Sequence, residues 1–175
     1  MSNTYTKFKR AYQYHLNLFL LAVSFFTRLP VTPYTQYSPS KMRRASQYFP
    51  LVGWLIAGVL ILIFYLIHPL IGLLPSLCFL MISSILITGA LHEDGLADIC
   101  DGIWGGHTLE RKLSIMKDSR IGTYGAATLV MALLAKFVFW GELAQEPQFF
   151  LMIVVAYTAS RALAATLIYD MPYVS

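Results

Sequence analysis

The chain has 175 residues, the length of a single domain, but 57% of them are hydrophobic and only 13% are charged, with a mean hydropathy of +0.61. This composition excludes an ordinary soluble enzyme and predicts an all-α fold, a polytopic membrane helix bundle that residues 1–175 form as one domain in a lipid bilayer. The net charge of +4 does not indicate a nucleic-acid partner, because the basic residues flank apolar runs, and lipid headgroups or phosphorylated substrates are the expected anions.

The first half of the chain predicts one interfacial helix and two spans. The N-terminal apolar run follows a basic segment and ends at Arg28-Leu29-Pro30, which is typical of a helix lying on the membrane or half inserted in it. Between Arg44 and Glu93 there is no Asp, Glu, Lys or Arg residue, and this stretch is long enough for two spans. We predict spans near 49–67 and 76–91, with a turn at 68–75 where proline and glycine disfavour helix.

The second half predicts a charged segment and two more spans, about four in total. Within the charged segment 92–120, apolar residues at 109, 113 and 116 indicate a short amphipathic helix on the membrane surface, with Thr108 as its N-cap. The third and fourth apolar runs cover about 126–140 and 149–168, joined by a loop containing Glu142, Glu146 and Pro147. Neither Cys78 nor Cys100 fits a zinc-ligand spacing, so we expect both to be reduced.

Orientation follows from the basic residues outside the spans. If four spans alternate, these residues all fall on one side, which the positive-inside rule makes cytoplasmic. The sequence therefore predicts a multi-pass protein of the cytoplasmic (inner) membrane, with segment 92–120 on the cytoplasmic side. Two cations remain inside predicted spans: Lys136 is expected to snorkel, whereas Arg161 is expected to face a polar cavity or a phosphate, since a central Arg costs roughly 2.5–3.5 kcal/mol or more.

An acidic stripe carries the strongest chemical signal. If the second span continues as a helix through this segment, Asp94, Asp98 and Asp101 stand at i, i+4 and i+7 and share one face. Three neighbouring carboxylates repel one another unless a cation neutralises them, and an all-oxygen site favours Mg²⁺ or Mn²⁺. Gly95 and Gly102 would let phosphate or metal approach the backbone closely. The alternative is a solvated acidic helix end at the membrane surface.

A second charged set, Lys117-Asp118-Ser119-Arg120, follows the amphipathic helix and is succeeded by Gly122. The two cations are predicted to hold a pyrophosphate. The carboxylate between them is predicted to complete the metal site or to accept a proton.

Several short motifs occur in a fixed order over most of the chain. They are Leu21–Val31, Phe49–Gly53, Gly89–His92, Asp94–Asp98 with Asp101-Gly102, Met116–Gly122 and Ser160-Arg161. Each fragment is weakly specific by itself, but together they resemble the cobalamin synthase family, the adenosylcobinamide-GDP ribazoletransferases of bacteria and archaea. Glu93 departs from that pattern, since the family usually has an apolar residue there. The family also continues beyond Ser175, so the chain looks like the N-terminal two thirds of such an enzyme.

The resemblance implies a Mg²⁺-dependent reaction of the late nucleotide-loop assembly step in cobalamin biosynthesis. In it, α-ribazole or its 5′-phosphate displaces GMP from adenosylcobinamide-GDP and gives adenosylcobalamin or its 5′-phosphate. We expect the metal ligands to be Asp94, Asp98 and Asp101, the catalytic residues to be Asp118, Lys117 and Arg120, and the substrate contacts to be Ser119, Arg161, Gly95, Gly102 and Gly122. Other membrane proteins of the corrin pathway are conceivable partners.

Three alternatives stay open at this point. A CDP-alcohol phosphotransferase also places aspartates and glycine at a membrane helix end, although its later paired aspartates are absent here. A small cation transporter would need acidic residues near the bilayer midplane, whereas these cluster outside the predicted spans. An inactive truncated remnant would only bind other membrane proteins of the pathway.

Overall fold

The computed structural model describes the backbone of residues 2–170 and the side chains of residues 5–168, and this part of the chain is helical with no β-strand. The helices are α1 (Ser2–Phe26), α2 (Pro39–Ala45), α3 (Phe49–Ile71), α4 (Leu73–Thr88), α5 (Leu91–Gly105), α6 (Leu109–Met116), α7 (Thr123–Leu143) and α8 (Phe149–Asp170). The all-α prediction is therefore confirmed. The predicted continuation of the family architecture beyond Ser175 lies outside the described residues.

Within residues 2–170, three segments are long and apolar enough to cross a membrane: Pro39–Ile71, which contains α3, then α7, and Phe149–Ile168 of α8. The pair α4 and α5 makes a fourth if it is counted as one broken span. The prediction of about four spans is confirmed to this extent. The amphipathic helix is also confirmed as α6, whose N-cap Thr108 accepts a hydrogen bond from the backbone N–H of Arg111 at 3.3 Å.

The predicted turn at 68–75 was wrong. Helix α3 continues through Pro69 to Ile71, and the chain turns only at Gly72, where φ is +80°. Helix α4 already begins at Leu73, with Pro75 in its first turn, where proline is tolerated. Likewise, Glu142 belongs to the last turn of α7 and not to the loop after it.

The second span does not continue straight into the acidic segment. Helix α4 ends at Thr88, and the next two residues, Gly89 and Ala90, both have left-handed backbone with φ of +64° and +59°. Two consecutive left-handed residues end the helical hydrogen-bond ladder, so α5 leaves α4 at an angle of 85°. The acidic stripe thus lies on a separate helix, and its position outside the spans stays a prediction.

The described helices divide into two compact units. The first contains α1, α2, α3 up to Ile63 and α8 from Phe150. Its core is formed by apolar stripes at helical spacing, with Leu18, Val52 and Ile56 at most 1% exposed. The second unit runs from Phe64 to Phe149 and contains α4 to α7, with α5 packed against both α6 and α7.

In the first unit, Gly53 lets α3 and α8 approach closely. A β-carbon at this position would lie 2.7 Å from the carbonyl carbon of Tyr157 and 2.9 Å from Cα of Thr158, both rigid backbone atoms. Gly58, one and a half turns further along α3, has open space where its β-carbon would be. Small residues of this kind are the usual means of close helix packing in membranes.

We expect Gly53→Ala to lower the free energy of unfolding by about 1–3 kcal/mol, because the helices must separate to admit the methyl group. Gly58→Ala is the matched control and should be neutral or stabilising, since alanine favours helix without meeting a neighbour. Thermal unfolding of the three proteins in the same detergent measures the difference. Equal stability of both variants would contradict the close approach.

Candidate active site

The acidic helix α5 is attached to the N-terminus of α7 by one buried carboxylate. Asp101 is 7% exposed, and its two oxygens accept hydrogen bonds from the backbone N–H groups of Gly122, at 2.7 Å, and Gly125, at 2.8 Å. Gly122 is the N-cap residue of α7, which has no side-chain cap of its own. Asp101 therefore caps α7 from a neighbouring helix, where the unpaired N–H groups and the helix dipole favour a negative charge.

Two glycines make room for Asp101 at the start of α7, and a third lets α6 pack on α5. A β-carbon on Gly122 or Gly125 would lie 2.9 Å from Cγ of Asp101, inside van der Waals contact. A β-carbon on Gly102 would lie 2.6 Å from Cγ of Met116, so this glycine allows α6 to pack on α5. Nothing lies within 4 Å of the corresponding position at Gly95. Gly102 and Gly122 therefore have packing roles, and their predicted substrate contacts stay predictions, as does that of Gly95.

The second charged set is organised around an ion pair. The guanidinium of Arg120 donates to both carboxylate oxygens of Asp118, with an Nη2 to Oδ2 distance of 2.7 Å, and the backbone N–H of Arg120 donates to the same carboxylate. These hydrogen bonds hold the pKa of Asp118 below its ordinary value. The carboxylate is thereby kept ionised, which suits a ligand or an orienting group better than a proton acceptor. Lys117 and Ser119 are exposed.

A cavity of about 500 Å³ joins the two sets within the second unit. Of the predicted site residues, Asp101, Asp118, Arg120 and Gly122 line it. Sequence reasoning missed Arg111, Ser114, Thr123 and Tyr124, which line it as well. The spacing of 111 and 114 does place them on one stripe of α6, but only the packing of α6 shows that this stripe lines the cavity.

The cavity is lined by groups of both charges. Arg111 and Arg120 line it together with Thr123 in the first turn of α7, and so do Asp101 and Asp118, the second of which is paired with Arg120. Guanidinium groups and helix N-termini both bind phosphate oxygens.

The other two predicted metal ligands, Asp94 and Asp98, lie on α5 outside the residues that line this cavity. Asp94 is exposed and Asp98 is half-buried. Partial burial raises the pKa of Asp98, and the nearby carboxylates of Asp94 and Asp101 raise it further. Both neighbouring aspartates thus act electrostatically on Asp98. Within the described part of the chain, however, no group of three His, Cys, Asp or Glu side chains is arranged to hold a metal.

Arg161 belongs to the first unit, where it is 5% exposed in the middle of α8. Its guanidinium carbon lies 4.8 Å from the ring centre of Tyr157 and 5.9 Å from that of Phe26, and Nη1 donates to Ser160 Oγ at 2.9 Å. Aromatic rings therefore stabilise much of this buried charge, and its phosphate contact stays a prediction. In the second unit, Lys136 places its ammonium 4.8 Å from the ring centre of Trp140.

Comparison with known proteins gives a consistent result. The model of the family CobS, cobalamin-5-phosphate synthase, matches residues 18–175. An adenosylcobinamide-GDP ribazoletransferase of Vibrio parahaemolyticus is 58% identical over 175 residues, which cover 100% of this chain and 66% of that protein. Proteins of the same name from Pseudoalteromonas atlantica and Shewanella pealeana are 50% and 45% identical, over 94% and 95% of this chain and 61% and 65% of theirs.

No solved structure matches the chain. The chain spans slightly less than two thirds of the length of the first curated relatives, 66% and 65%. Because the family model covers most of these residues and the sequence motifs predicted the same family, the assignment does not depend on one fragment. The chain belongs to the cobalamin-5-phosphate synthase family.

Proposed function

We propose that the chain supplies the catalytic part of an adenosylcobinamide-GDP ribazoletransferase. A hydroxyl oxygen of α-ribazole, or of its 5′-phosphate, forms a bond to the phosphorus attached to cobinamide. The bond from that phosphorus to the phosphate oxygen of GMP breaks, the hydroxyl loses its proton and GMP leaves. The observation that carries the proposal is the cavity in which two arginines and the α7 N-terminus surround a space next to Asp101 and Asp118.

The chain's own residues would bind and orient the pyrophosphate in this reaction. Arg111 and Arg120 would contact its oxygens, and the backbone N–H groups of Thr123 and Tyr124, which do not bond Asp101, would add donors at the start of α7. Asp118 orients Arg120 through their ion pair. Asp101 fixes the N-terminus of α7 relative to α5, so it determines where those donors point. Lys117, Ser119 and Arg161 remain candidates for further phosphate contacts.

Mg²⁺ fits the donors on α5. Mg²⁺ is commonly held by one or two carboxylates together with water and substrate phosphate, and Asp94 and Asp98 form such a pair one turn apart. Burial is the main cause that raises the pKa of Asp98, and the carboxylates of Asp94 and Asp101 raise it further, which is negative charge that a cation would neutralise. A bound Mg²⁺ would supply charge neutralisation on the phosphates. Asp101 already has both oxygens engaged with backbone N–H groups, so its metal-ligand role stays a prediction.

The proposed location is the cytoplasmic membrane, with α5, α6 and the cavity on the cytoplasmic side. The apolar helices and the clustering of cations outside them support this orientation.

The direct test incubates membranes containing this chain with adenosylcobinamide-GDP, α-ribazole and Mg²⁺. The measured quantities are released GMP and the corrinoid product, and membranes with the Vibrio parahaemolyticus relative serve as the positive control. We expect both products in equal amounts. Absence of both from the chain, when the relative is active, would reject the proposal in favour of a remnant without activity.

Magnesium should stabilise the folded protein even without substrate. At a concentration 100 times its dissociation constant, a ligand that binds only the folded state raises the free energy of unfolding by about 2.7 kcal/mol. We expect a rise of this kind with MgCl₂ in detergent and none with NaCl at the same ionic strength. The variant Asp94→Asn/Asp98→Asn should lose the response, and an unchanged response in that variant would place the ion elsewhere.

A further inference from the structure

A second cavity lies in the first unit, and none of the residues proposed for catalysis lines it. Its volume is about 730 Å³, and it is lined by Tyr14 and His15 of α1, Arg43 and Arg44 of α2, the segment just before α3, and Thr166 of α8. An adjoining cavity of about 450 Å³ shares Tyr14 and adds the cations of Arg10 and Lys41. All of these residues belong to a single unit.

The electrostatics of this region favour an anion. Glu93 is the first acidic residue in the sequence. The residues that α1 and α2 contribute to the two cavities therefore include no carboxylate. Arg44 instead donates from Nη1 to the phenol oxygen of Tyr14 at 3.1 Å, a neutral partner that positions the guanidinium, and among the side chains of residues 5–168 no carboxylate pairs with it. His15 is similarly held by the hydroxyl of Tyr48, with Nδ1 and Oη 2.7 Å apart. The cavity thus has oriented cationic and polar groups.

The position of the cavity identifies the type of anion. The cavity is lined by residues just before α3 and by residues in the last turn of the apolar segment of α8. These residues lie near the ends of the apolar parts of two candidate spans. Such ends lie at the level of the lipid headgroups. On α8, Leu163 and Leu167 flank Thr166 and are 62% and 49% exposed, so an apolar surface continues from the cationic pocket along the span. A phospholipid fits both features, because its phosphate suits the cationic pocket and its acyl chains suit the apolar surface of α8.

We propose that Arg43 and Arg44 form a binding site for the headgroup of an anionic phospholipid. The phosphate diester would contact the two guanidiniums, and the acyl chains would follow α8. Basic pockets between membrane helices commonly bind anionic headgroups in this way. The site is separate from the proposed transfer reaction and does not depend on it.

The test measures lipid binding to the purified full chain in a neutral detergent by native mass spectrometry. The probes are phosphatidylglycerol, phosphatidylcholine and inorganic phosphate. We expect phosphatidylglycerol to bind more tightly than phosphatidylcholine. The variant Arg43→Gln/Arg44→Gln should weaken phosphatidylglycerol binding roughly 30-fold, since each cation near a headgroup contributes about one factor of five.

The matched control is Lys7→Gln/Lys9→Gln, which removes the same charge from exposed positions of α1 that line neither cavity. It should change phosphatidylglycerol binding by about twofold or less, because salt screens distant exposed charges. Arg43→Lys/Arg44→Lys keeps the charge and should retain most of the affinity, which assigns the loss in the glutamine variant to charge, and equal unfolding temperatures of the glutamine variant and the parent show that it is folded. Equal losses in the glutamine variant and the control would overturn the proposal. So would arginine-dependent binding of inorganic phosphate without that of phosphatidylglycerol, which would indicate a soluble phosphate ligand.

Discussion

Asp98→Asn should reduce the rate of GMP release by about 100-fold or more, because cation stabilisation of the transferring phosphates contributes several kcal/mol. The same substitution should not lower stability in the absence of Mg²⁺. The folded protein raises the pKa of Asp98, so near neutral pH the ionised carboxylate opposes folding. This unfavourable effect grows as pH rises above the ordinary pKa of an aspartate and disappears on acidification, and an amide abolishes it. We therefore expect a variant that is inactive yet at least as stable as the parent.

The rate of GMP release is measured in membranes that contain equal amounts of each protein. The control is Glu110→Gln. Glu110 is an exposed carboxylate on α6 that does not line the cavity, so its removal should leave the rate within about twofold. Normal turnover by Asp98→Asn would remove this aspartate from the proposed metal site. A rate loss accompanied by unfolding would likewise contradict the expected separation of activity from stability.

Asp101→Ala should lower the free energy of unfolding by about 3 kcal/mol, because two backbone N–H groups at the start of α7 lose a charged acceptor. Gly125 is buried, so water cannot readily replace that acceptor. Asp101→Asn keeps one acceptor oxygen and should lose roughly half as much. Because this is a capping effect, the loss should be the same with and without Mg²⁺. Chemical unfolding in detergent under both conditions measures it.

Asp94→Asn is the matched control for this experiment, since Asp94 is an exposed aspartate of the same helix. It should change stability by about 0.5 kcal/mol or less without Mg²⁺. If Asp101→Ala lost stability only when Mg²⁺ was present, Asp101 would act as a metal ligand and not as the cap of α7. If Asp94→Asn were equally destabilising, the loss would reflect the acidic stripe as a whole.

Much of the fold could be predicted from the chain alone, because a helix in lipid or at the lipid–water boundary needs apolar residues in a run of fixed length or at helical spacing. An uninterrupted apolar run of roughly 20 residues has few structures open to it other than a spanning helix, which is why α3, α7 and α8 appear close to their predicted positions. The amphipathic helix α6 and its cap at Thr108 follow equally from local pattern. The family followed from motif order, which needs no knowledge of the fold.

The tertiary structure decided what neighbouring helices do to those local patterns. Sequence gave no sign that Ala90 would adopt left-handed backbone, so the sharp bend that separates α5 from α4 was not predicted. Asp101 carried the same local signal as Asp94 and Asp98, but only the approach of α7 gives it two backbone donors. The sequence pattern indicated that Arg111 is a solvated charge, whereas the packing of α6 on α5 makes it line the cavity. Periodicity fixes which residues share a face of one helix, whereas the partner of that face depends on contacts between segments far apart in the chain.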